Sequence, residues 1–165
     1  MHDLLIPEWI KDRKARQEKE SLRRQSVVMA ESLVRADLPA VWDEFVRELA
    51  IQVDACKLLA EVSSVKLEGV SQANDPEKAH KFTIYGSGMA GPLLYTIIRL
   101  KLEYSRPYIE CLRDAEDHGK DYKIFFHLDK MGRTCFMADR ELSPRMAAEY
   151  VAERMIHDLD AGLTE

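Results

Sequence analysis

Between Val65 and Met137, apolar and polar residues alternate one by one in short runs separated by short polar turns. A period of two belongs to strands with one buried and one wet face. Connections this short cannot carry parallel crossovers, which need a dozen or more residues, so neighbouring strands must run antiparallel. The feature predicts a meander of about five to six strands. Its runs are Val65/Leu67, Phe82/Ile84, Ile98/Leu100/Leu102/Tyr104, Tyr122/Ile124/Phe126/Leu128 and residues 133–137. YIECLR (108–113) reads as a returning strand, although Ser105 and Pro107 also suit the start of a short helix.

Outside that region the period is helical. Residues 7–36 read as one long helix with Pro7 in its first turn. Its first half is nearly all charge: segment 11–24 holds seven basic and three acidic residues. The segment is thus +4 in a chain of −5, leaving −9 for the rest. A helix polar all round has little to bury and depends on charge pairs or a partner. Leu22, Met29 and Leu33 add a thin apolar stripe suited to docking. A second helix is predicted over 38–61, capped by Asp37, with Pro39 in its first turn. Its wide apolar face is Trp42, Phe45, Val46, Leu49, Val53 and Cys56. A last helix starts at Ser143-Pro144 and ends near Gly162, with Met146, Tyr150, Val151, Met155, Ile156 and Leu159 on one face.

The fold expected is therefore α+β: two N-terminal helices, an antiparallel meander, and one C-terminal helix packed on one sheet face. Residues 1–36 form a charged arm and 37–165 a single domain. No targeting signal and no run of about 18 apolar residues is present. Three widely spaced cysteines without a C-x-x-C suit reduced thiols in the cytoplasm.

GSGMAG (86–91) matches the G-x-G-x-x-G spacing of dinucleotide sites. That motif needs a helix after the glycines to present N–H groups to phosphate. The following residues, RLKLEY (99–104), alternate strictly, and a helix would scatter their charges into its apolar face. The stretch is expected to be a hairpin loop, glycine-rich because the reversal needs positive φ, with no helix starting at Pro92.

No catalytic, cofactor or metal motif emerges. His2, His80, His118, His127 and His157 lack metal-ligand spacing. Cys56, Cys111 and Cys135 have no local histidine to activate them. There is no nucleophile elbow and no P-loop. One constellation remains. If the register holds, Lys81, Tyr85, Arg99, Lys101, Lys123 and His127 share the polar sheet face, a candidate surface for an anionic or peptide partner. An ordinary solvated face is the alternative. The sequence thus points to a non-catalytic protein-interaction module that self-associates or binds another protein through its first helix. A small-molecule pocket between sheet and helices is one alternative, and nucleic-acid binding through 11–24 another. No membrane partner is expected.

Overall fold

The computed structural model describes residues 7–60, 62–69, 81–88, 93–102, 106–113 and 121–161. One helix, α1 (Glu8–Cys56), leads into seven strands: β1 (Val62–Gly69), β2 (Lys81–Gly88), β3 (Leu93–Lys101), β4 (Tyr108–Arg113), β5 (Tyr122–Leu128), β6 (Thr134–Met137) and β7 (Glu141–Leu142). Helix α2 (Pro144–Ala161) follows the last strand. The strands follow one another in sequence order in a single antiparallel sheet. The α+β antiparallel architecture is as expected, with two differences in count.

The first difference is that the two expected N-terminal helices are one. Pro39 lies inside α1 and does not end it. The reason is tertiary. Val34, Leu38, Trp42, Phe45, Leu49, Val53 and Cys56 form one buried stripe that passes straight through the supposed break. Asp37 caps nothing; its carboxylate accepts the Thr134 hydroxyl at 2.9 Å. The helix ends at Cys56, short of residue 61.

The second difference is a seventh strand, the two-residue β7, too short to show a period. β4 confirms 108–113 as a strand. β3 stops at Lys101, so Leu102 lies beyond the sheet and is exposed; Tyr104 is outside the described residues.

The sheet curls around both helices. α2 touches β2 and β6, while α1 touches β1, β5 and β6, so strands distant in the ladder converge on the same helices. The core on the concave side contains Phe45, Leu49, Ile84, Ile98, Ile109, Ile124, Phe126 and Phe136, all essentially solvent-free. Phe45 and Phe126 each stack against Phe136, at 5.5 and 4.9 Å between ring centroids. Ser143 caps α2 by accepting the Met146 N–H at 3.2 Å. The buried face of α2 is Ala147, Ala148, Val151, Ala152 and Met155, whereas Met146 is exposed. Of the expected face, Val151 and Met155 are buried, Tyr150 and Ile156 are partly buried against the core, and the side chain of Leu159 lies outside the described residues. The alanines were not expected, and they let α2 approach α1 closely.

The residues after Pro92 form a strand rather than a helix. β2 runs through Gly88 and pairs antiparallel with β3, which begins at Leu93. Gly86 and Gly88 are thus strand residues rather than loop, and neither has a positive φ; Gly132 alone does among the described residues. Residues 89–92 lie outside them.

Candidate functional site

Residues directly paired across an antiparallel ladder share a face. The register therefore locates all six predicted face residues on the convex side. Lys81 pairs with Arg99, Arg99 with Glu110 and Glu110 with Lys123, a charged row across four strands. In the next row Lys101 pairs with Tyr108 and Tyr108 with Phe125. Tyr85 lies between Lys66 and Tyr95, and His127 pairs with Cys135.

This face is tied down by its own aromatic contacts. The Lys123 ammonium sits 4.4 Å from the Tyr108 ring centroid, and Arg106 sits 4.7 Å from that of Phe125. Tyr108 is buried although it points outward. His127 lies 3.6 Å from the Glu141 carboxylate. Lys66 pairs with Glu68, which holds its ammonium pKa up. Acids thus interleave with the bases along the rows.

The first half of α1 is different. Residues 8–29 are exposed except for a partly covered Ile10. The Lys11–Glu8 and Arg24–Glu20 pairs, at 3.6 and 3.2 Å, brace the helix surface, each worth a few tenths of a kcal/mol. Leu22, Met29 and Leu33 are 65, 69 and 48% exposed. At about 100° per residue they lie on the far side of α1 from the buried stripe, so the body of the molecule cannot cover them.

A cleft of about 440 Å³ separates α1 from β5. Val27, Ala30 and Val34 form one wall, and Pro107, Phe126 and Leu128 the other, with Glu31, Arg106 and His127 at its polar edges. The sequence did not reveal it, because its walls are about 70–100 residues apart along the chain.

At the other end of the concave side, Arg154 of α2 stacks on both Tyr122 and Tyr150 and donates to the Tyr150 hydroxyl at 2.5 Å. The buried Tyr122 hydroxyl has no hydrogen-bond partner among the described residues. Its polar neighbour is the Cys111 thiol, which burial pushes up to about 12. Burial likewise raises Cys56 and Cys135. None of the three is a thiolate nucleophile at neutral pH. Among the described residues no group of His, Cys, Asp or Glu side chains could hold a metal ion, and no helix is long and apolar enough to cross a membrane.

No protein-family model, curated protein or solved structure matches this chain.

Proposed function

We propose that this protein is a non-catalytic interaction module that self-associates through the outer face of α1. One observation carries the reading: the helix continues for more than twenty residues beyond its own core and presents Leu22, Met29 and Leu33 away from the body. An isolated helix is marginal in water, and packing of an apolar face is what normally holds one. Three free cysteines suit a reducing cytoplasm.

Light scattering on the full chain across a concentration series tests this. A dimer is expected, and M29Q/L33Q, which changes only exposed side chains, should shift it toward monomer. A wild-type chain that stays monomeric at every concentration, or an M29Q/L33Q dimer as tight as wild type, ends the reading.

The cleft between α1 and β5 favours a second reading, a small-molecule binder. Its apolar walls with a few polar edge groups have the make-up of a ligand pocket. A thermal-shift screen of metabolites, lipids and nucleotides checks it; a pocket ligand raises Tm, and the rise is lost when Val34→Trp fills the cleft. Nucleic-acid binding through 11–24 has less support, since Glu8 and Glu20 already pair with Lys11 and Arg24.

A further inference from the structure

The exposed stripe on α1 extends further than its three large residues. Positions 22, 26, 29, 33, 36 and 40 are spaced 4-3-4-3-4, the d and a positions of a heptad repeat. They are Leu22, Ser26, Met29, Leu33, Ala36 and Ala40, and all six are exposed. Ser26 does not spoil the seam, because its hydroxyl donates to the Leu22 carbonyl at 2.9 Å within the helix.

Resting on the self-association reading, we infer that the occupant of this seam is a second copy of α1, running antiparallel, with the twofold axis level with Glu31. In a twofold interface every contact occurs twice, with residue i of one copy on j of the other and j on i. An axis level with residue 31 makes each pair of core positions add to 62. That register sets Met29 on Leu33 at the centre, Ser26 on Ala36 outside it, and Leu22 on Ala40 at the ends. Large residues meet each other only in the middle, small residues meet in the Ser26–Ala36 layers, and Leu22 covers Ala40 at the ends.

The charges obey the same register, although nothing in the apolar spacing requires it. Lys19 of one copy falls opposite Asp43 of the other in the core row. In the flanking row facing positions add to 60 and so sit about 3 Å off level. There Arg16 falls opposite Glu44, and Arg23 opposite Asp37, which already accepts the Thr134 hydroxyl of its own sheet. The basic segment 11–24 thus lies along the acidic outer side of the second copy's 37–44. Trp9 and Ile51, exposed and at opposite ends of α1, are brought to within about 3 Å of the same level. Glu8 and Asp54 also meet, but each already has a cation of its own: Lys11 at 3.6 Å and Lys57 at 2.6 Å. A parallel pair would instead stack the basic segments against each other.

The size is adequate. An overlap from 16 to 44 is about 42 Å of helix. Half the circumference of a helix cylinder over that length is roughly 700–800 Å² per copy, close to the ~800 Å² of a standard interface. The seam faces away from the sheet and α2, so both bodies remain outside the pair.

Charge reversal on the full-length protein tests the register. R16E alone and E44R alone each place two like-charge contacts in the dimer and should raise its dissociation constant roughly five- to tenfold. The double variant R16E/E44R restores opposite charges and should return to within about twofold of wild type. K19D, D43K and K19D/D43K repeat the test at an independent pair. Circular dichroism on each variant establishes that the fold is intact. If neither double variant recovers affinity while M29Q/L33Q still dissociates the dimer, the antiparallel register is wrong and self-association through α1 stands. If the wild-type chain is monomeric, or M29Q/L33Q dimerises like wild type, both fall.

Discussion

The Arg154 guanidinium lies over the Tyr122 ring, 4.7 Å from its centroid, and so ties α2 to β5. Tyr150 completes the stack, with its ring 5.8 Å from that of Tyr122 in an edge-on arrangement. Tyr122 supplies a ring to this cluster, while its hydroxyl is buried with no hydrogen-bond partner among the described residues. A buried unsatisfied hydroxyl costs about 1–3 kcal/mol. Tyr122→Phe keeps the ring and removes that cost, so it should be neutral or stabilise by up to about 1 kcal/mol. Arg154→Lys loses the planar stacking and should cost about 1 kcal/mol. Urea unfolding of both variants checks the pair, and a clear loss of stability in Tyr122→Phe would mean that its hydroxyl has a partner.

Pro39 sits on the exposed side of a continuous helix, where it removes one backbone hydrogen bond and crowds the preceding turn. Pro39→Ala should therefore stabilise the chain, by about 1–3 kcal/mol. Phe45→Ala, at the solvent-free centre of the stripe on the same helix, should cost about 3–5 kcal/mol. Unfolding midpoints at constant m-value measure both. A destabilised Pro39→Ala would show that the proline does structural work that the geometry does not reveal.

The β5–β6 hairpin is organised by Asp129. Its carboxylate accepts the backbone N–H groups of Met131 and Arg133 at 2.8 and 2.9 Å and pairs with the Arg133 side chain. These bonds, led by the Arg133 N–H, hold its pKa below the ordinary value. A depressed folded pKa contributes stability that is complete above the unfolded value, near 4, and is lost as pH falls through the folded one. Asp129→Asn should flatten this part of the acid-unfolding profile, measured by fluorescence from pH 6 to 2. Gly132 has φ +75 in the same turn, so Gly132→Ala should cost about 1 kcal/mol although its Cβ meets nothing.

The thiols should separate by exposure. Cys111 is solvent-free and pushed up to about 12, Cys56 is buried, and Cys135 is partly exposed beside His127 on the convex face. At pH 8 a thiol reagent should modify Cys135 slowly and the other two only after denaturant is added. Mass mapping of the labelled protein gives the order. Labelling of Cys111 in the native state would mean that the core around it opens readily.

The sequence by itself determined whatever depends on local period and local chemistry. Ile84, Ile98, Ile124 and Phe126 on one face and Lys81, Arg99 and Lys123 on the other are legible because strand side chains alternate. Short connections made the sheet antiparallel, and Ser143 marked the start of α2. The same pattern located the six residues of the convex face, and helical spacing exposed Leu22, Met29 and Leu33 as an unspent stripe. Tertiary structure decided the rest. A proline preceded by an aspartate reads locally as a helix start, and only the burial of Val34 and Leu38 beside Trp42 keeps α1 continuous through it. Alanines are neutral in a sequence pattern, yet Ala147, Ala148 and Ala152 form the face of α2 because the curled sheet presses it against another helix. The cleft beside Val27 and the Tyr122–Arg154 stack join residues far apart in the chain, and no local preference encodes such meetings. They follow from the sheet's curl, which brings distant strands onto the same two helices.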